Sequence, residues 1–217
     1  MIKLIAFDLD GTILDTIYDL HNCLNYVLNK YSLEEVSLEE TKKNIGNGIK
    51  NLIIRSLKGN DSNIDNMFSD FIKYYEENYN LYTKPYDGIY ELLDYLKSKN
   101  VIIGVITNKR EEIAKKLIDY FYNNYFDFVI GDNDMKRKPS KDKMDFIRIK
   151  YNLKTDEILY IGDSNVDFEF VKNSNVLGYY VSYGYRDKKM LEDIGAKPLF
   201  DDAYSLLEGL KIIYNES

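Results

Sequence analysis

Three apolar runs, over residues 2–7, 101–106 and 158–161, have the length and composition of strands buried on both faces of a parallel sheet. From Pro85 onward such runs alternate with helical patterns. Helices are predicted over 88–99, 111–122, 142–151, 168–172 and 204–213, and strands over 101–107, 128–130, 158–161 and 176–181, with a short extended segment at 198–200. This alternation predicts an α/β domain with a parallel sheet. The stretch between the first strand and Pro85 reads differently. Ile17, Leu20, Leu24, Val27 and Leu28 recur at helical spacing, and Ser37-Leu38-Glu39-Glu40 has the form of a capping box opening a second helix. Gly46-Asn47-Gly48 interrupts that helix. A third is predicted over 49–57, and a fourth over 64–79 carries Met67, Phe68, Phe71, Ile72 and Tyr75. The chain therefore divides into a core domain, residues 1–15 and 83–217, and an inserted all-helical cap, residues 16–82.

The apolar runs end in chemistry. The first stops at Asp8-Leu9-Asp10-Gly11-Thr12, where two acids two residues apart point to one side of an extended backbone and Gly11 lets the chain turn away. Unpaired, those charges would repel each other and resist ionisation, so the pattern requires a cation. On its own D-x-D-G also describes a capping Asp followed by a turn Asp. Further polar segments weigh against that reading. The second run ends in Thr107-Asn108-Lys109, the third in Gly162-Asp163-Ser164-Asn165-Val166-Asp167, and Lys136-Arg137-Lys138-Pro139 lies between them. Carboxylates, hydroxyl, lysine and carboxylates in that order describe a phosphoryl-transfer site.

Composition narrows the field. A net charge of -7 argues against nucleic acid or an anionic membrane as the main partner, leaving small-molecule ligands. The first apolar run is broken by Asp8 and Asp10 before signal-peptide length, and no stretch approaches the roughly 20 apolar residues of a membrane span. A cytoplasmic location, with the protein a monomer or homodimer, is the expectation. Cys23 is the only cysteine, so no intrachain disulfide forms, and its place in a helical apolar pattern predicts a core role. His21 is the only histidine and no G-x-S-x-G elbow is present, so acid-base work falls to carboxylates.

In its motifs the chain resembles the haloacid dehalogenase-like hydrolase superfamily, and within it the phosphoglycolate phosphatase group. The resemblance rests on DLDGT (Asp8 to Thr12), VITN (Val105 to Asn108), Lys138-Pro139 and GDSNVD (Gly162 to Asp167), in the order that family uses. It extends to Tyr183-Gly184-Tyr185-Arg186 and Gly195-Ala196. With right-handed crossovers, it implies a doubly wound, Rossmann-like parallel sheet whose central first strand is flanked by the strands ending in Thr107 and Asp163. It further implies a Mg²⁺-dependent phosphomonoester hydrolase. Asp8 would be the nucleophile and Asp10 the general acid and base. Thr107, the main-chain amides of Leu9 and Asn108, and Lys138 would stabilise the transferring group. Asp8, the Asp10 carbonyl and Asp163 would hold the metal, with Asp167 orienting a bound water or Lys138.

Two departures stand out. Lys141 occupies the place of a second proline in K-P-x-P, and Val171, Ser174 and Asn175 stand where the family favours small residues. In the cap, Gly46-Asn47-Gly48 followed by Lys50 is the candidate substrate loop, with a plain helix-helix turn as the alternative; Arg55 and Arg110 are candidate anion contacts that also read as surface charges. A phosphorylated carboxylic acid such as 2-phosphoglycolate fits the group. A pyrophosphatase or sugar-phosphate phosphatase, a mutase like β-phosphoglucomutase, and a non-catalytic regulatory protein are the competing readings.

Overall fold

The computed structural model describes residues 1–46, 48–57, 59 and 63–214. It forms two units, Met1–Leu14 with Pro85–Ser217, and Asp15–Lys84. In chain order the elements are β1 (Leu4–Phe7), β2 (Leu14–Asp15), α1 (Ile17–Lys30), α2 (Leu38–Asn44), α3 (Ile49–Ser56), α4 (Ile64–Asn78) and β3 (Lys84–Pro85). They continue as α5 (Ile89–Ser98), β4 (Ile102–Arg110), α6 (Glu111–Tyr122), β5 (Phe128–Asp132), α7 (Asp142–Lys150), a 3₁₀ turn (Thr155–Glu157), β6 (Ile158–Gly162), α8 (Asn165–Ser174), β7 (Leu177–Val181), α9 (Lys188–Asp193), β8 (Leu199–Phe200) and α10 (Ala203–Ile213).

The larger unit is built on a six-stranded parallel sheet in the order β5-β4-β1-β6-β7-β8, flanked by helices. As expected, β1 is central, with Leu4 in register with Ile102 of β4 and Ile158 of β6, and Phe7 with Val105 and Ile161. All four β1 residues are fully buried, which is why the run is apolar without alternation. Leu4 and Ala6 share a core cluster with Ile106, Met144, Ile147, Tyr160 and Phe170. Chain order reverses on either side of β1, so the carboxyl ends of β1, β4 and β6 border a topological switch point, the usual binding crevice of such sheets.

The structure revises several element bounds. Strand β4 continues three residues past the predicted end at Thr107, and β5 runs on to Asp132. The register between them slips after Ile106, so the polar Asn108-Lys109-Arg110 remains extended through a bulge that apolar periodicity does not signal. Helix α8 starts three residues before the predicted position because Ser164 and Asp167 form a capping box, and α9 went unpredicted. Asn175, one of the departures from the family pattern, closes α8 in a left-handed conformation that asparagine tolerates.

In the smaller unit α1 packs on α4, burying Cys23, Leu24, Val27, Met67, Phe71 and Tyr75. Tyr26 stacks on Tyr74, and Asp70 accepts from Tyr31 and pairs with Lys30. The predicted capping box of Ser37 and Glu40 opens α2. His21 Nδ1 lies 2.9 Å from Thr41 Oγ1, giving the sole histidine a structural role. The buried Asp19 carboxylate accepts from the amides of Tyr82 and Thr83, tying the returning chain to α1.

Candidate active site

Asp8 follows β1, Thr107 lies one residue past the position level with Asp8 on β4, and Asp163 follows β6, so the sheet register alone gathers all three at one edge. The loop after β1 doubles back beneath them. Amides of Thr12, Ile13 and Leu14 converge on the Leu9 carbonyl, while phenols of Tyr122 and Tyr183 donate to the carbonyls of Ile13 and Thr12. Gly11 has a positive φ, and a Cβ there would collide with the Asp163 carboxylate; Gly184 is excluded from bearing a side chain by the same group. The segment Tyr183-Gly184-Tyr185 thus packs against the acid cluster, and the Tyr185 amide donates to Asp163 Oδ2 at 2.7 Å.

Lys138 reaches this cluster from the loop before α7. Its buried ammonium lies 2.9 Å from Asp8 Oδ1 and 2.6 Å from Asp167 Oδ1, and donates to the Tyr160 hydroxyl at 2.7 Å. Asp167 is saturated with donors. Its Oδ1 receives Lys138 and lies 2.9 Å from the Tyr160 hydroxyl, and its Oδ2 accepts from the Ser164 amide and hydroxyl. Asp167 thus pairs with Lys138, whose ammonium also lies beside Asp8. The Thr107 hydroxyl accepts from the Lys109 amide at 3.2 Å, which leaves its own hydrogen to donate elsewhere.

Carboxylate oxygens of Asp8, Asp163 and Asp167 all lie within 4.8 Å of one another, and all three residues are buried. Burial pushes Asp8 up to about 6; the Lys138 charge opposes the shift, while Asp167 and Asp10 add to it. Asp163 is driven to about 8, first by burial and then by the Asp167 and Asp8 charges. Burial would by itself lower the Lys138 ammonium, yet the Asp167 and Asp8 carboxylates outweigh it and hold the group above its ordinary value. Asp8 Oδ1 has no hydrogen-bond partner of acceptable geometry despite its ion pair with Lys138. A second cation fits these residues, and an all-oxygen donor set without His or Cys suits a hard one such as Mg²⁺. With the Asp167 oxygens already committed, Asp8 and Asp163 are the side chains able to hold it.

The remaining expected residues have partners of their own. The Asp10 carboxylate pairs with Lys109. Asn108 bonds through its side chain to the main chain of Lys138, a role beyond the amide donor expected of it. Gly46 and Gly48 lie between α2 and α3 of the smaller unit, and Asn47 lies outside the described residues. Lys50 pairs with Asp65, Arg55 donates to the Asn44 carbonyl, and Arg110 pairs with Glu112. Sequence reasoning missed Tyr160 and Lys143, whose ammonium donates to the Thr107 carbonyl from a fully buried position on α7. Tyr160 sits inside an apolar run and Lys143 in a polar stretch of helix, so neither carries a local signal.

A buried lysine paired with two carboxylates of an acid cluster, at the switch point of a parallel sheet, is an arrangement suited to phosphoryl transfer. The chain belongs to the haloacid dehalogenase-like hydrolases, whose sequence profile matches residues 5–181. It is 35% identical over 193 residues to the phosphoglycolate phosphatase of Aquifex aeolicus (strain VF5), covering 84% of this chain and 86% of that one. To the phosphoglycolate phosphatase of Pseudomonas syringae pv. tomato it is 29% identical, covering 95% and 79%. A solved structure from Lactobacillus delbrueckii subsp. bulgaricus, provisionally named a phosphoglycolate phosphatase, superposes with a TM-score of 0.91 at 28% identity, covering 96% and 98%. Family and relatives together make the chain a phosphatase. No helix among the described residues is long and apolar enough to cross a membrane.

Proposed function

We propose that the chain is a Mg²⁺-dependent phosphomonoester hydrolase that acts through an aspartyl-phosphate on Asp8, with 2-phosphoglycolate or a similar small phosphorylated acid as substrate. The observation carrying this reading is the buried contact of Lys138 with both Asp8 and Asp167 beside Asp163. Mg²⁺ held by Asp8, Asp163 and the Asp10 carbonyl would keep Asp8 ionised and neutralise phosphate charge. An Asp8 oxygen attacks phosphorus as the bond from phosphorus to the ester oxygen breaks, and Asp10 gives its proton to the departing alkoxide. Asp10 then takes a proton from the water that attacks phosphorus and regenerates Asp8. The Thr107 hydroxyl, the Leu9 and Asn108 amides and the Lys138 ammonium stabilise the equatorial oxygens throughout. The names of the curated relatives support the substrate assignment.

The test is phosphate release from 2-phosphoglycolate, p-nitrophenyl phosphate, pyrophosphate and hexose phosphates, with and without Mg²⁺, beside an Asp8→Asn control. Mg²⁺-dependent release, fastest from 2-phosphoglycolate and absent in the control, is expected. Undiminished release by Asp8→Asn overturns the nucleophile assignment, and preference for pyrophosphate or a hexose phosphate overturns the substrate.

A further inference from the structure

Lys109 has no task in the reaction just described, yet its side chain is almost wholly buried and its ammonium lies 2.9 Å from Asp10 Oδ1. Lysine is seldom buried without a partner, and this pairing joins positions 99 residues apart. The backbone is built to deliver it. Ile106 of β4 faces Ile130 and Arg110 faces Asp132, so four steps along β4 match two along β5. Such a bulge redirects side chains from simple alternation. It is fixed in place: the Lys109 amide donates to Thr107 Oγ1, and the Gly131 amide donates to Glu111 Oε2. A Cβ at Gly131 would run into the Lys109 carbonyl and the Glu111 backbone.

We propose that Lys109 is a positioning residue for Asp10, holding its carboxyl group in the orientation from which it protonates the leaving group. The inference rests on the reading of Asp10 as that acid. Proton transfer demands a donor held within hydrogen-bond reach of the departing oxygen. The Lys109 ammonium, bonded to one oxygen, is a restraint on that placement. Misplacement by about 1 Å can cost on the order of 100-fold in rate. Only reactions whose leaving group needs the proton should register the loss.

The experiment compares kcat/KM for 2-phosphoglycolate, which releases a poor alkoxide, with kcat/KM for p-nitrophenyl phosphate, whose phenolate departs without protonation. Wild type, Lys109→Met and Lys109→Gln are measured with Mg²⁺, and the ratio of the two constants does not depend on how much of a preparation is folded. Two replacements of different polarity guard against one that fails to fold. The expected result is a fall of roughly 10- to 100-fold for 2-phosphoglycolate and of less than about threefold for p-nitrophenyl phosphate. Adding Lys109→Met to Asp10→Asn should then cause no further loss, because the two act as one unit. An unchanged ratio in both variants, or full additivity with Asp10→Asn, overturns the positioning role while leaving the phosphatase reading intact. Wild-type protein inactive on both esters overturns that reading and this inference with it.

Discussion

Asn108 and Lys138 clasp each other through a reciprocal pair of hydrogen bonds: Asn108 Nδ2 donates to the Lys138 carbonyl at 3.0 Å, and the Lys138 amide donates to Asn108 Oδ1 at 2.8 Å. The end of β4 thus sets the backbone from which the lysine reaches Asp8 and Asp167. Replacement Asn108→Ala keeps its own main-chain amide and removes both bonds. It should lower stability by about 1–3 kcal/mol and kcat by roughly 10- to 100-fold. Chemical denaturation and steady-state phosphate release measure the two effects.

Lys138 neutralises buried carboxylates, so its loss should be felt beyond turnover. In Lys138→Met, Asp8 and Asp167 remain buried without their shared cation, and chelator-treated protein should be about 3–5 kcal/mol less stable than wild type. Turnover should fall at least ~100-fold. Urea titrations in EDTA, alongside kinetics in Mg²⁺, test the pair of expectations.

The acid cluster gives a sign to the pH dependence of the metal-free protein. Asp8 and Asp163 are pushed up to about 6 and about 8 by burial, so between about pH 4 and pH 8 these two groups bind more protons in the folded chain than in the unfolded one. Their contribution is present at low pH and is lost as pH rises through that window. In EDTA, the melting temperature contributed by these groups should fall from pH 5 to pH 8. Mg²⁺ should raise it most at pH 8, where the carboxylates are ionised. A melting series in EDTA and in Mg²⁺, read against Asp163→Asn, isolates the effect of these carboxylates.

Lys143 has the opposite slope. Burial, then the Lys138 charge, lower its ammonium to about 8, below the value in an unfolded chain. Between about pH 8 and pH 10.5 the unfolded state binds the extra proton on this side chain, so the contribution of Lys143 to stability should rise with pH across that window by up to ~3 kcal/mol. Lys143→Met should abolish the rise, which denaturation of both proteins at pH 7.5 and pH 9.5 would reveal.

The sheet was legible because a strand buried on both faces must be apolar throughout: Leu4 to Phe7 and Ile158 to Ile161 admit no other reading once flanked by helical patterns. The helical insertion was legible from period alone, and the Ser37 capping box from four residues. Strand β4 beyond Thr107 was not, because Asn108 to Arg110 are held extended by a bulge against β5, a pairing with no local signature. The Ser164 and Asp167 capping box was overlooked because the same residues read as an acid cluster.

What the sequence by itself determined is the chemistry at the ends of the apolar runs: which acids follow β1 and β6, which hydroxyl ends the apolar part of β4, and that no histidine or thiolate set competes with them. Those assignments need only the chain order and the properties of single side chains. Tertiary structure decided the pairings. Asp10 with Lys109, Lys138 with Tyr160, and Lys143 with the Thr107 carbonyl join residues 99, 22 and 36 positions apart. A buried charge finds its partner in space, and that partner is chosen by sheet register and loop closure, to which local patterns are blind.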